Sequence, residues 1–166
     1  MIRYNKIVIA SKMFVEAHKL FVNAKSEMDY VSSILLSGAV VGIIAPLLEE
    51  QGGHPMHEIL ARICNVMAEE DEEKIHQGIF RETYNAFKHS GNKRKNIKPS
   101  EDLEFETDLK LEAGRMLDVA KSDFKEISVS DDIRKNIPRE SIELLESEFK
   151  CSKVDFGRTK QFLGTI

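Results

Sequence analysis

Cysteine, tryptophan and proline are scarce in this chain of 166 residues, which has two cysteines, four prolines and no tryptophan. Cys64 and Cys151 lie far apart in the sequence, and two isolated thiols do not make the disulfide framework of a small secreted protein. The N-terminal MIRYNKIVIASK is interrupted by charge too early to be a secretory signal. We therefore expect a reduced, cytoplasmic protein.

Sequence motifs of several enzyme classes are also missing. There is no glycine-rich phosphate loop, no G-x-S-x-G nucleophile elbow and no signature around a cysteine. His54 and His57 suggest a metal site with His76 or His89, but their spacing matches neither H-E-x-x-H nor a paired C-x-x-C arrangement. We expect no metal and no cofactor, with His54 as a loop residue.

The net charge of −4 provides no general attraction to nucleic acid. Any contact with RNA would need a local concentration of positive charge. One such basic cluster lies after the middle of the chain and contains Lys93, Arg94, Lys95 and Lys98.

Apolar residues recur at helical spacing along most of the chain, and no alternating apolar run predicts a sheet. We predict an all-α, single-domain, up-and-down bundle of about five to six helices. Residues 1–128 would form the bundle, and a C-terminal helix and tail, 129–166, would pack on it. The predicted helices cover about 7–26, 29–51 with Asp29 as N-cap, a segment restarting at Pro55, 72–89 with Gly91 as C-cap, 107–127, and a segment restarting at Pro138.

Residues 31–48, VSSILLSGAVVGIIAPLL, contain no charged residue. This length is at the lower edge of a membrane span, and Gly38 and Gly42 have the spacing of a membrane helix-pairing motif. Acidic rather than basic flanking residues, three serines and Pro46 favour a buried central helix instead. The small residues would let a neighbouring helix or a second subunit approach closely.

Polar residues near position 85 form the candidate site. Arg81, Asn85 and His89 are spaced i, i+4, i+8 on a predicted helix, with Lys88 alongside. A histidine there would move the proton of a ribose 2′-hydroxyl while a nearby cation stabilises the phosphorane, and this chemistry needs no metal. The alternative is the polar side of an ordinary surface helix whose terminal histidine is favoured by the helix dipole.

The helix end YNAFKH, followed by a polar loop and DLEF, resembles the R-N-x-x-K-H helix ending of the HEPN superfamily. The upstream MDYVSSILLSGAVVGIIAPLLEEQGG is similar to the long, small-residue-rich helix of uncharacterised bacterial HEPN-like proteins. The resemblance spans roughly Ala10 to Phe124. It implies a helical bundle that often dimerises and often cleaves RNA without a metal, in prokaryotic or phage defence and conflict systems.

The resemblance implies His89 and Asn85 as catalytic residues, with Arg81 as a third candidate. Lys88, Lys93, Arg94, Lys95 and Lys98 would contact single-stranded RNA. The sequence departs from the family pattern at Tyr84, which stands where the family has arginine, and a phenol does not replace a guanidinium at a phosphate. The alternative function is therefore a catalytically inactive helical module that binds a protein partner.

Overall fold

A computed structural model describes residues 3–68, 74–91 and 97–147, and these residues form helices joined by turns. The α-helices are α1 (Lys6–Val22), α2 (Glu27–Glu50), α3 (Met56–Met67), α4 (Glu82–Lys88), α5 (Leu109–Ile127), α6 (Asp131–Arg134) and α7 (Arg139–Glu146). Two 3₁₀ segments cover Gln77–Arg81 and Pro99–Glu101. The described ranges contain no β-strand, so the all-α prediction is confirmed.

Helix α2 is the centre of the bundle and packs against α1 and α5, which also contact each other. Ile34, Val41 and Ile44 are fully buried, and Phe14 of α1 meets Phe124 of α5 edge to face with ring centroids 6.1 Å apart. By length and composition α2 would also cross a membrane, although half of its apolar window is buried inside the bundle. Its apolar character is what a helix with neighbours on several sides requires.

The ends of α2 show which residues set its limits. Ser26, not Asp29, is the N-cap, so the predicted cap was wrong by three residues. The Asp29 carboxylate instead accepts the backbone N–H groups of Lys25 and Ser26, at 2.8 and 2.9 Å, which lie just before the helix. At the other end Gly52 has φ of +80°, the left-handed conformation predicted for the helix stop.

The C-terminal helix α7 packs against α1 and α5. The buried Ser141 hydroxyl donates to the Ser11 carbonyl of α1 at 3.3 Å, and Lys19 pairs with Glu140 at 2.9 Å. Residues 148–166, which include most of the predicted tail, lie outside the described residues.

The single helix predicted over residues 72–89 is wrong. A 3₁₀ segment covers Gln77–Arg81, and α4 then begins at Glu82 and ends at Lys88. The His76 ring accepts the Gly78 N–H at 3.0 Å, and this local bond, with the low helix propensity of glycine, favours the tighter turn. Gly91 has φ of +78° but follows the helix end by three residues, so it is not the C-cap, which is His89.

Candidate nucleic-acid interface

The side of α4 that faces α2 is held by Tyr84, which is 5% exposed. Its ring packs directly on Gly38, where a β-carbon would lie only 2.5 Å from ring atoms Cε2 and Cγ. Only glycine fits at this position without moving the ring. The close approach predicted for the small residues of α2 is therefore made by α4 of the same chain.

Two cations lie against this same ring. The Arg81 guanidinium carbon is 5.3 Å from the Tyr84 ring centroid, and the Lys88 ammonium is 4.8 Å from it. Within the described part of the chain, neither cation has a carboxylate within 4 Å. A cation–π contact stabilises each of these cations but does not neutralise its charge.

Three polar residues in the second half of α4 and at its end face solvent. Asn85, Lys88 and His89 are exposed, and we call these three residues the outer surface of α4. His89 is the C-cap, with extended backbone, and its N–H donates to the Asn85 carbonyl at 3.0 Å. Arg81 does not continue this surface, because it lies in the 3₁₀ segment and its Nε is buried.

The loop after α4 folds back onto the helix. Phe105 of the DLEF segment meets Phe87 of α4 edge to face, with ring centroids 5.2 Å apart. The Asp102 carboxylate accepts the Gly91 N–H at 2.6 Å, so both sides of the loop meet near the end of α4.

The predicted RNA-contacting residues of this loop divide into two groups. Lys98 is exposed. Lys93, Arg94 and Lys95 lie outside the described residues.

Behind α4 lies a second group of polar residues that the sequence analysis did not identify. His57 of α3 is 6% exposed and Asp123 of α5 is 1% exposed, and the charge of the partly buried Arg81 acts on both. One buried atom of each residue, His57 Nδ1, Asp123 Oδ2 and Arg81 Nε, has no hydrogen-bond partner in the described ranges. We call His57, Arg81 and Asp123 the buried polar cluster.

Asp123 also determines where α3 begins. Its Oδ1 accepts the N–H of Met56, the first residue of α3, at 2.6 Å. The preceding Pro55 has no side chain able to cap a helix, so α5 supplies the cap across the bundle. A carboxylate in this position also interacts favourably with the dipole of α3.

The ionisation of the buried polar cluster is set mainly by burial. Burial raises the pKa of Asp123 to about 6, with Glu126 adding to the rise and the Met56 hydrogen bond and Arg81 charge opposing it. Burial, helped by the positive charge of Arg81, lowers the pKa of His57. The sequence signal for Asp123 was its position three residues after Ala120, on the apolar side of α5.

The remaining histidines do not assemble a metal site. His54 is about half exposed and lies 3.3 Å from Glu58 one turn along, a contact that carries charge only when His54 is protonated. No group of three histidine, cysteine, aspartate or glutamate side chains in residues 3–68, 74–91 and 97–147 is placed to hold a metal ion.

Comparison with family models, with curated proteins and with solved structures finds no match. The similarity to the HEPN superfamily therefore depends on the residues quoted above.

Proposed function

We propose that this chain is a HEPN-like cytoplasmic protein that binds single-stranded RNA through the outer surface of α4. One observation carries the proposal: the exposed Lys88 ammonium, 4.8 Å from the Tyr84 ring centroid, has no carboxylate within 4 Å among the described residues and lies on the same helix end as the exposed Asn85 and His89. An exposed cation without a carboxylate partner favours an anionic ligand, and the phosphates of RNA are such ligands.

The neighbouring residues suit a nucleic-acid backbone. Asn85 adds an exposed amide beside Lys88, and His89 is at the point where the chain leaves the helix. The sequence continues into the basic residues 93–95 and to the exposed Lys98. Amides and cations of this kind bind phosphate and sugar oxygens without reading base sequence.

His89 and Asn85 are the candidate catalytic pair for cleavage without a metal. In this scheme His89 takes the proton of the ribose 2′-hydroxyl, the 2′-oxygen bonds to the adjacent phosphorus, and Lys88 stabilises the charge that develops on the phosphorane. The bond to the 5′-oxygen then breaks, and that oxygen takes the proton back from His89, which leaves a cyclic phosphate. The activity would belong to a prokaryotic or phage defence or conflict system, with the protein acting as a homodimer. Arg81, the third candidate residue, lies in the 3₁₀ segment outside the outer surface of α4.

Incubation of wild type and His89→Ala with mixed single-stranded RNA oligonucleotides in EDTA tests both binding and cleavage. We expect both proteins to bind RNA at low salt, where phosphate contacts are strongest, and wild type alone to leave a cyclic phosphate or 3′-phosphate. No binding by wild type at low salt would refute the proposal. Binding without cleavage would leave an RNA-binding protein that lacks nuclease activity.

The second candidate function is a catalytically inactive module that binds a protein. The buried position of Tyr84 favours it, because the residue that replaces the family arginine is part of the core. The end of α3 also exposes Ile63, Val66 and Met67 to solvent. This function would be favoured if wild type does not bind RNA and if His89→Ala folds as wild type does.

A further inference from the structure

One side of α2 is open, although this helix is the centre of the bundle. Residues 30–48 contain no charged residue, yet only half of the apolar window of α2 is buried by the rest of the chain. Six open positions recur at alternating steps of four and three residues, which is the spacing of a coiled-coil seam. We call these positions the α2 seam; they are Met28, Ser32, Leu35, Ala39, Gly42 and Pro46, all exposed or half-buried.

The other described helices leave the α2 seam uncovered. Tyr84 of α4 packs on Gly38, beside the seam, and the nearest atom to a β-carbon at Gly42 is Nη2 of Arg81, at an ordinary contact distance of 3.8 Å. Met28, at one end, is 64% exposed. At 1.5 Å per residue the seam is about 27 Å long, and with a width of about 10 Å it is a patch of roughly 300 Å². Apolar patches of this size on a monomer are often functional.

We propose that the α2 seam is the interface of a homodimer, in which α2 of a second copy lies antiparallel against it about a two-fold axis at Ala39. This interface belongs to the homodimer of the proposed function, and it does not depend on RNA binding. Two uncharged surfaces meet without leaving a buried charge unpaired. A surface that pairs with its own copy must also be complementary to itself in shape.

The side chains on either side of Ala39 meet this condition when the chain direction is reversed. An axis at Ala39 sets Leu35 against Gly42 of the partner subunit, so a large side chain enters the space above a glycine. The same axis sets Leu36 against Ile43 of the partner subunit. Parallel order would instead set Gly42 against its own copy and leave a gap, which loses packing contacts. The distribution of sizes therefore favours the antiparallel pair.

The surroundings of the α2 seam favour a second copy over a membrane or the rest of this chain. Acidic residues begin and end the helix, with Glu27 at one end and Glu49 and Glu50 at the other. These charges would be repelled by the anionic surface of a lipid bilayer. The chain continues toward residues 148–166 from α7, which packs against α1 and α5. That continuation therefore begins beside α1 and α5.

Sedimentation velocity of wild type and Ala39→Glu measures the proposed dimer. Residue 39 lies on the axis, so the variant brings two carboxylates together, and we expect the dimer dissociation constant to rise about tenfold or more. Val129→Glu adds the same charge at a residue that is 81% exposed outside the seam, and it should dimerise as wild type does. Wild type that stays monomeric at its highest soluble concentration would overturn the proposal. Equal dissociation constants for the two variants would also overturn it.

Disulfide cross-linking tests the antiparallel order and does not depend on how well Ala39→Glu folds. In a background with Cys64→Ser and Cys151→Ser, oxidised Ala39→Cys should form a covalent dimer, because residues on the axis meet their own copies. Met28→Cys should not, since antiparallel order separates the two copies of residue 28 by about 33 Å, and a disulfide spans at most about 7 Å between α-carbons. Cross-linking of both variants, or of neither, would overturn the proposal.

Flotation with phosphatidylcholine vesicles tests the lipid alternative. We expect wild type not to float, and flotation that Ala39→Glu abolishes would assign the α2 seam to a lipid surface and overturn the dimer. RNA binding is measured separately on the same protein. A monomeric wild type that binds RNA would refute the interface alone, whereas a dimer that fails to bind RNA at low salt would refute the RNA function alone.

Discussion

The two sides of α4 differ in what holds their residues in place. On the inner side, Tyr84 is packed on a glycine of α2, and Arg81 reaches a cluster of buried ionisable groups. On the outer side, Asn85, Lys88 and His89 are exposed. A helix of seven residues therefore carries both a core contact and a candidate ligand surface.

The difference changes how the departure from the HEPN pattern is interpreted. From sequence, Tyr84 is a missing arginine in a polar motif. In the structure the same residue is 5% exposed, and its ring fills the space left by Gly38. Packing therefore accounts for the tyrosine at this position, and the positive charge near it comes from Arg81 and Lys88.

The substitution Tyr84→Arg introduces the arginine of the HEPN pattern at position 84 and should have the largest effect on stability. It places a third cation against Arg81 and Lys88 in a buried position, and an uncompensated buried charge costs about 3–5 kcal/mol. The measurement is the free energy of unfolding in urea. Tyr84→Phe keeps the ring and serves as the control, with a loss of about 1 kcal/mol or less. If Tyr84→Arg is as stable as wild type and cleaves RNA faster, residue 84 is not buried against α2.

The pH dependence of stability tests the other part of the inner side. Burial raises the folded-state pKa of Asp123 from 3.8 to about 6, so its stabilising effect is complete below pH 3.8 and is lost as pH rises through about 6. Relative to Asp123→Asn, wild type should become more stable by about 2 kcal/mol between pH 8 and pH 4, most of the ~3 kcal/mol that the whole shift gives at lower pH, since one pKa unit is about 1.4 kcal/mol. Urea unfolding of both proteins across this range gives the difference.

The two buried ionisable groups have opposite effects on this profile. The pKa of His57 is lowered in the folded state, so on acidification the unfolded state takes up a proton before the folded state does. The stabilising contribution of neutral His57 is therefore lost as pH falls below 6.5. Asp123→Asn should therefore lose stability more steeply than wild type on acidification. Parallel curves for the two proteins would show that Asp123 has an ordinary pKa.

Two glycines of α2, one turn apart, measure how tightly the inner side is packed. A β-carbon at Gly38 overlaps the Tyr84 ring, whereas at Gly42 the nearest atom, Nη2 of Arg81, is 3.8 Å away. Gly42→Ala should stabilise the helix by up to about 1 kcal/mol. Gly38→Ala should be less stable than Gly42→Ala by about 1–3 kcal/mol, the cost of overpacking. Equal denaturation midpoints for the two variants would mean that Tyr84 is not seated on α2.

The helical class and the central position of α2 could be predicted because they depend on apolar spacing over many residues. The break before α4 could not, because it depends on one hydrogen bond from His76 to Gly78 inside a segment with helical periodicity. The position of the α2 N-cap was missed for a similar reason. Ser26 and Asp29 are both suitable cap residues, and the structure selects Ser26, whose backbone N–H donates to the Asp29 carboxylate.

The candidate site was only partly predictable. Exposure of Asn85, Lys88 and His89 follows from the polar side of a helix. The charge of Arg81 acts on His57 of α3 and Asp123 of α5, which are 24 and 42 positions away in sequence, and a helical wheel contains no such information. Asp123 was detectable only as a charge on an apolar stripe, and its bond to Met56 depends on the packing of two helices.

Loss of Lys88 should change stability least and test the outer side alone. Lys88→Gln removes one cation–π contact with Tyr84, which contributes about 0.5–1 kcal/mol at an exposed site. Its main effect should be on RNA binding, where the slope of log affinity against log salt concentration should fall by about 0.7 for one lost phosphate contact on a single strand. Lys12→Gln removes the same charge from an exposed position on α1 and should leave the slope unchanged. If both variants reduce the slope equally, RNA is attracted by the general charge of the chain, and the outer surface of α4 is not its binding site.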